Sequence, residues 1–295
     1  MLLTTMDDYE SSQLAELRRW QEQAPPPVAR WFGRAAGPAS QAVQTMIPTA
    51  ALKLALDGVQ STAGRFAGHA SLLKQAKVSR VEDLRDADLK LCDQLAAKVR
   101  RRSSVTAGGS GALLGVAGAA GMVADVPTLM VLAFRTIQRV GLCYGEVLHN
   151  VAGRQLGLAI FALASANTVE EKRTALLALT RAEPGTGTVD AAWRDGIERA
   201  AERELAKEAA MLSLQNLAMQ AGKHLGWRKA AGALPVFGAL VGGSVNAWYL
   251  WDLATVSRYC FQERWLRNRY RELQLQAPMP ALPHEQAALP APSQD

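Results

Sequence analysis

The sequence predicts an all-α protein, a multi-helix bundle around two glycine-rich apolar helical hairpin segments. The apolar fraction is 49% while aromatic residues make up only 6%, and a chain rich in alanine and leucine favours helices over strands. Apolar residues recur at the i, i+3 and i+4 spacing of a helix, and no stretch alternates with a period of two. Two segments of 22 residues, 103–124 and 230–251, carry no charge.

The first helices should be separated by proline-rich breaks. A helix is predicted from Asp8 to about Glu22, where apolar residues share one face, and the prolines at 25–27 then force an extended break. Apolar positions over 39–59 again follow the helical spacing. Pro48 lies inside that stripe, so we expect a kink there or a helix in two parts.

Two capping boxes mark further helix starts. Ser79 is predicted as an N-cap with Glu82 returning to its amide, which would open a helix that ends at the arginines before residue 103. Thr168 and Glu171 form the second box. Beyond a glycine-containing loop, residues 191–224 show the amphipathic pattern of one long helix.

The chain divides into one domain and a tail. Residues 1–275 should form a single helical domain, because a chain of this length can bury one substantial core. The tail, residues 276–295, has five prolines among alanine and polar residues. It can bury little apolar area, so it is expected to be disordered.

The glycines of the two apolar segments are spaced for close helix contact. Small residues four apart let a neighbouring backbone approach, either in lipid or in a tight core. Glycine costs roughly 1 kcal/mol relative to alanine in a helix facing water, so something should pack on it. A buried hairpin and a membrane-inserted hairpin both satisfy this. The expected contact positions are Gly111, Gly115, Gly118, Gly121, Gly238 and Gly242.

Basic residues flank both apolar segments. The net charge is +6, and the sharpest cluster, Arg100, Arg101 and Arg102, directly precedes the first segment. These arginines are either a solvated face or contacts for anionic lipid headgroups. Because every end of the two segments is positive, the positive-inside rule favours hairpins with both ends in the cytoplasm. No nucleic-acid-binding module accompanies them, so nucleic acid is not expected as a partner.

The cysteines and the N-terminus indicate a cytoplasmic protein. Three widely spaced cysteines without a CxxC pair predict neither a disulfide framework nor a zinc site. The first residues lack the basic region and apolar core of a signal peptide. The expected location is the cytoplasm, including the cytoplasmic face of the inner membrane.

Asp125 is the most informative polar residue. It closes the first glycine run and precedes Pro127, which is typical of a helix N-cap with proline in the first turn. The alternative is a buried acid near Asn246, which holds the equivalent position in the second segment, titrating in a ligand or ion path. Tyr144 completes this candidate polar site, although packing in the core would also explain it.

No familiar catalytic motif is present. The four histidines are scattered without metal-ligand spacing, and the sequence contains no HExxH, GxSxG or GxxxxGK[ST] pattern. Gly109-x-Gly111 follows a predicted helix where a dinucleotide fingerprint needs a strand. The sequence therefore predicts no catalytic residue, no metal and no cofactor.

Several runs together resemble the EcsC family. The glycine-rich runs 115–127 and 234–243 look like the family's two central blocks. The shorter matches are Tyr9-Glu10, Arg135, Tyr144-Gly145, Asn246 and Phe261-Gln262-Glu263-Arg264. The resemblance implies a bacterial protein in a cytoplasmic or membrane-associated setting. It implies no catalytic residues, because the family has no established biochemical role.

Three functions are compatible with the sequence. The first is a non-enzymatic, membrane-associated accessory protein whose glycine-rich hairpins bind lipid, the membrane surface or a membrane protein. The second is an enzyme without a familiar motif, for example a hydrolase, with Asp125 in its site. The third is a soluble helical interaction scaffold.

Overall fold

The structure, a computed structural model, describes residues 6–27, 69–116, 119–148, 150–180 and 227–270. Side chains are described there except at residues 114–127, 151, 154, 178, 180 and 227–242. The all-α prediction is confirmed, because every regular element within these ranges is helical. The helices predicted over 39–59 and 191–224, the loop before the latter and the tail 276–295 lie outside the described residues.

Seven α-helices and one 3₁₀ helix occupy the described residues. In chain order the α-helices are α1 (Asp8–Glu22), α2 (His69–Ala76), α3 (Leu89–Val116), α4 (Ala119–Leu142), α5 (Val151–Ala164), α6 (Val169–Thr180) and α7 (Trp227–Arg269). The 3₁₀ helix, Val81–Arg85, lies between α2 and α3. The predicted bounds of α1 are confirmed.

Helix α7, with 43 residues, is the axis of the fold. It packs along α3 over most of that helix and also contacts α4, α5 and α1. The α3–α7 contacts pair early residues of one helix with late residues of the other, so the two helices are antiparallel. Their shared core includes Cys92, Leu95, Leu253 and Phe261, which are all at most 3% exposed. This pairing places the N-terminal half of α3, which includes Asp93, against the C-terminal half of α7.

The helix start predicted at Ser79 is wrong. The chain forms the short 3₁₀ helix there, and the Asp83 carboxylate, not that of Glu82, accepts a hydrogen bond from the Arg80 amide at 2.8 Å. Helix α3 begins only at Leu89, after Asp88 has accepted the Lys90 amide at 2.7 Å. Aspartate side chains readily accept hydrogen bonds from nearby backbone amides. Asp83 and Asp88 therefore interrupt the single helix that the apolar pattern predicted.

The cap predicted at Thr168 is confirmed in its first half. The Thr168 hydroxyl accepts the Glu171 amide at 3.1 Å at the start of α6. The Glu171 carboxylate, however, accepts the amide of Asn167 at 2.8 Å instead of that of Thr168. A complete capping box that the sequence analysis missed opens α1, where Asp7 and Glu10 exchange hydrogen bonds of 2.7 and 3.0 Å.

The two apolar segments differ in structure. Segment 103–124 contains the end of α3 and the start of α4, so it holds the connection of a helix pair. Segment 230–251 lies wholly within α7 and is one continuous helix, unlike the second hairpin that the sequence suggested. Among the described residues, we find no helix whose length and hydropathy would let it cross a membrane.

The N-cap interpretation of Asp125 is wrong. Helix α4 begins at Ala119, so both Asp125 and Pro127 lie inside the helix. An N-cap must precede the first helical residue. The alanines between the glycines favour helix, and α4 therefore starts before the acid.

Candidate functional site

A buried carboxylate joins four parts of the chain. Asp93 of α3 is only 6% exposed, and each of its oxygens accepts hydrogen bonds. The Tyr9 hydroxyl of α1 donates to Oδ2 at 2.7 Å, and the Tyr144 hydroxyl, just beyond α4, donates to Oδ1. The Gln262 amide of α7 donates to both, at 2.9 Å to Oδ2 and 3.2 Å to Oδ1. We call these four residues the Asp93 centre.

Burial dominates the electrostatics of the Asp93 centre. It raises the pKa of Asp93, although the hydrogen bonds from Tyr144 and Tyr9 and the positive charge of Arg258 act to lower it. Burial, with the adjacent carboxylate, also raises the pKa of both tyrosines. The phenols therefore keep their protons and act as donors. A carboxylate satisfied by donors from its own chain ties helices together.

A second polar layer docks α1 on α7 beside this centre. The Glu16 carboxylate accepts the Tyr259 hydroxyl at 2.6 Å and the Arg258 guanidinium at 2.9 Å. Burial acts to raise the pKa of Glu16, but these donors and the charge of Arg258 lower it overall. Trp20 stacks on the Tyr259 ring with 4.6 Å between centroids. The N-terminal helix is thus held by specific polar contacts as well as by burial.

The structure separates the residues of the sequence-predicted polar site. Tyr144 belongs to the Asp93 centre. Asn246 is fully buried, but it lies 16 positions before Gln262 in α7, or about 24 Å along a helix axis. The side chain of Asp125 lies outside those described. Tyr144 and Asn246 therefore do not share a site.

Sequence reasoning missed Asp93 itself. The available signal was a lone acid among Cys92, Leu95 and Ala96, all on the apolar side of the predicted helix. A second signal lay in the resemblance, because Tyr9, Tyr144 and Gln262 all fall in its short matching runs. Nothing in the sequence, however, indicates that these three residues meet.

Helices α3 and α7 approach each other closely at a pair of glycines. A Cβ atom on Gly243 would stand 2.9 Å from the Gly108 carbonyl oxygen, and one on Gly108 would stand 3.2 Å from the Ala247 Cβ. The Ser104 hydroxyl donates to the Ala247 carbonyl at 2.8 Å across the same crossing. Small residues are needed here because the backbones nearly touch.

Of the six glycines predicted to make close helix contacts, the structure describes the surroundings of only one. Gly111 is buried. Contacts at the other five positions (Gly115, Gly118, Gly121, Gly238 and Gly242) lie outside the described side chains, so they stay predictions. The crossing that is described uses Gly108 and Gly243, which were not among the positions expected to make contact.

One face of α3 is exposed over residues 102–113 and mixes basic and apolar residues. Its members follow the helical spacing, and we call them the α3 stripe: Arg102, Val105, Thr106, Gly109 and Leu113. Val105 is 71% exposed and Leu113 is 76% exposed. Large apolar side chains with this exposure, aligned on one face, are typical of a contact surface.

The three consecutive arginines have different roles. The Arg100 guanidinium stacks on the Trp251 ring at 4.2 Å from its centroid and donates to the Thr255 hydroxyl at 3.3 Å. Arg101 and Arg102 are exposed. Arg100 therefore belongs to the α3–α7 contact, and only the other two are available to a partner.

Two further arginines lie on α4, which packs against α3. Arg135 and Arg139 occupy successive turns of one face of α4 and are partly buried. Burial lowers the pKa of Arg139, and the positive charges of Arg135 and Arg102 lower it further. None of the three forms an ion pair within the described residues. We call Arg102, Arg135 and Arg139 the arginine cluster.

A small cavity of about 50 Å³ lies where α6 meets the end of α1. Lys172 of α6 lines it, donates to the carbonyls of Trp20 and of Gln23, the latter at 2.8 Å, and lies 4.4 Å from the Trp20 ring centroid. Burial lowers the pKa of Lys172 to about 8. The lysine caps α1 from another helix. Within the described ranges as a whole, no group of three His, Cys, Asp or Glu side chains could hold a metal ion.

Residues 11–266 match the model of the EcsC protein family. The chain belongs to the EcsC family. The matched range covers most of the chain and includes Asp93, Tyr144 and Gln262 as well as the α3 stripe, so the Asp93 centre lies within the EcsC region except for Tyr9. The family resemblance noted in the sequence is confirmed. No curated protein and no solved structure gives a significant match.

Proposed function

We propose that this EcsC family protein is a non-enzymatic, membrane-associated protein that binds an anionic membrane surface through the α3 stripe. The single observation that carries the proposal is the exposure of Val105 and Leu113, at 71% and 76%, on the same helix face as Arg102. We place the contact at the cytoplasmic face of the inner membrane.

The chemistry of the stripe fits a shallow, reversible contact. Burying an exposed valine or leucine side chain stabilises by roughly 1.5–3 kcal/mol. A basic residue near an anionic lipid surface adds about 1 kcal/mol. A helix that lies in the interface buries its apolar face by only about 5–10 Å, which needs no span of the bilayer.

The Asp93 centre and the α3–α7 crossing support this role by holding α3 in place. A helix whose opposite face is packed against α7 presents Val105 and Leu113 without having to fold on contact. A helix that is already ordered loses less conformational entropy on binding than a segment that must fold at the surface. The proposal thus assigns the buried polar residues to architecture and the exposed stripe to binding.

Co-sedimentation with lipid vesicles tests the proposal. We expect the protein to pellet with vesicles that contain phosphatidylglycerol and much less with vesicles of phosphatidylcholine alone. Val105→Thr combined with Leu113→Gln should release it, because the apolar contact is lost. Val169→Thr is the matched control, since Val169 is a 40%-exposed apolar residue of α6 and should not matter.

Two outcomes would overturn the proposal. Equal recovery of the stripe variant and the control in the pellet would show that the stripe does not face lipid. A wild-type protein that stays in the supernatant with both kinds of vesicle would favour the interaction scaffold, with the exposed stripe as a protein contact.

A further inference from the structure

We infer that the arginine cluster, Arg102, Arg135 and Arg139, is a binding site for the phosphate group of an anionic lipid headgroup. This inference rests on the proposed membrane contact of the α3 stripe and adds a specific ligand to it. Arg102 belongs both to the stripe and to the cluster, so a headgroup bound there would lie beside the apolar residues that enter the lipid.

The three arginines come from two neighbouring helices. Arg135 and Arg139 are four residues apart in α4, so their side chains leave the same face one turn apart. Helices α3 and α4 pack together, and the charge of Arg102 acts on Arg139 from across this contact. The three arginines therefore lie on two helices that pack together, two of them one turn apart on α4.

The arginine cluster lacks a negative partner among the described residues. Two other partly exposed arginines have carboxylate partners, Arg258 with Glu16 at 2.9 Å and Arg267 with Glu263 at 2.6 Å. The arginine cluster has no carboxylate partner within the described residues. Partly burying like charges close together disfavours the charged form, and a bound anion would relieve that repulsion.

The chemistry of arginine points to phosphate. The planar guanidinium donates two parallel hydrogen bonds to phosphate oxygens, and it is less strongly hydrated than an ammonium group. A phosphomonoester offers more free oxygens and more negative charge than a phosphodiester. Among anionic lipids, the site should therefore prefer an exposed phosphomonoester headgroup such as that of phosphatidic acid.

The test compares vesicles of phosphatidic acid with vesicles of phosphatidylglycerol, matched in surface charge by zeta potential. Wild-type protein should bind the phosphatidic acid vesicles more tightly. Arg135→Gln combined with Arg139→Gln should lose this preference, with affinity falling roughly 5-fold for each arginine. Arg18→Gln combined with Arg19→Gln removes the same charge from the exposed face of α1 and should keep the preference.

Two further measurements keep the outcomes distinct. The melting temperature of the α4 double variant should be no lower than that of the wild type, since the substitutions remove arginines that repel each other. If the α4 variant keeps the wild-type preference while Leu113→Gln still reduces binding to both kinds of vesicle, the headgroup site is overturned and the membrane contact stands. If inorganic phosphate raises the melting temperature through these arginines but no vesicle is bound, the lipid source is overturned and the site takes free phosphate.

Discussion

Gly243 of α7 lies so close to Gly108 of α3 that a Cβ atom on Gly243 would stand 2.9 Å from the Gly108 carbonyl oxygen. The obstacle is backbone, which cannot rotate away as a side chain can. Gly109, the next residue of α3, faces open space, because a Cβ there would meet nothing within 4 Å. The two glycines therefore form a matched pair for mutation.

Gly243→Ala should destabilise the protein although alanine is the better helix former. Overpacking a close contact costs roughly 1–3 kcal/mol, which outweighs the gain of about 1 kcal/mol in helix propensity. Gly109→Ala should be neutral or stabilising by up to that propensity gain. Chemical denaturation measures both, and similar free energies of unfolding for the two variants would exclude the close contact.

Asp93→Asn should destabilise the protein because an amide offers one acceptor oxygen where the carboxylate offers two. At least one of its donors, Tyr9, Tyr144 or Gln262, is then left unsatisfied, at about 1–3 kcal/mol. Tyr144→Phe removes one donor. A double-mutant cycle of Asp93→Asn and Tyr144→Phe should show a coupling of about 0.5–3 kcal/mol. Additive losses would contradict the bond between these two residues.

Lys172 should give the protein a stability that rises with pH in the alkaline range. Its pKa is lowered from 10.5 to about 8 by burial, so between these values the unfolded chain binds more protons than the folded chain. The free energy of unfolding contributed by this group therefore increases from pH 8 toward pH 10.5. Lys172→Met should remove that rise, and Lys74→Met, at an exposed lysine of α2, should keep it.

Arg100→Gln and Arg101→Gln should separate stability from binding. Arg100 stacks on Trp251 at 4.2 Å, so its loss should lower the free energy of unfolding by about 0.5–1 kcal/mol. Arg101 is exposed, and its substitution should leave unfolding unchanged while weakening vesicle binding. Thermal melts and sedimentation of both variants check this. A reversed pattern would contradict the structural assignment of the two arginines.

The local signals of the sequence predicted the local structure. The end of α1 at Glu22 was predictable because the three prolines that follow cannot continue a helix. Thr168 was predictable as a cap because its hydroxyl can accept the amide three residues later in the chain. The error at Asp125 has a physical cause too, since its N-cap pattern competed with the helix propensity of the alanines before it.

The Asp93 centre could not be predicted, because its parts meet only in the tertiary fold. Asp93 is separated by 84 residues from Tyr9, by 51 from Tyr144 and by 169 from Gln262. No spacing rule joins residues at such distances. The α3 stripe could not be predicted for a related reason. The sequence shows that the first segment is apolar, but it does not show which face of α3 stays exposed in the fold.

The wide sequence separation of the Asp93 centre has a consequence for synthesis on the ribosome. At about 5–20 residues per second, a nascent chain holds Asp93 for roughly 10–30 s before Gln262 is made. During that interval α3 has no α7 to pack against, and α1 still lacks Tyr259, which stacks on its Trp20 in the completed fold. The surfaces of α3 and α4 that α7 covers in the completed fold are then exposed. The native contacts of α3 with α7 can therefore form only after the last long helix of the chain has been made.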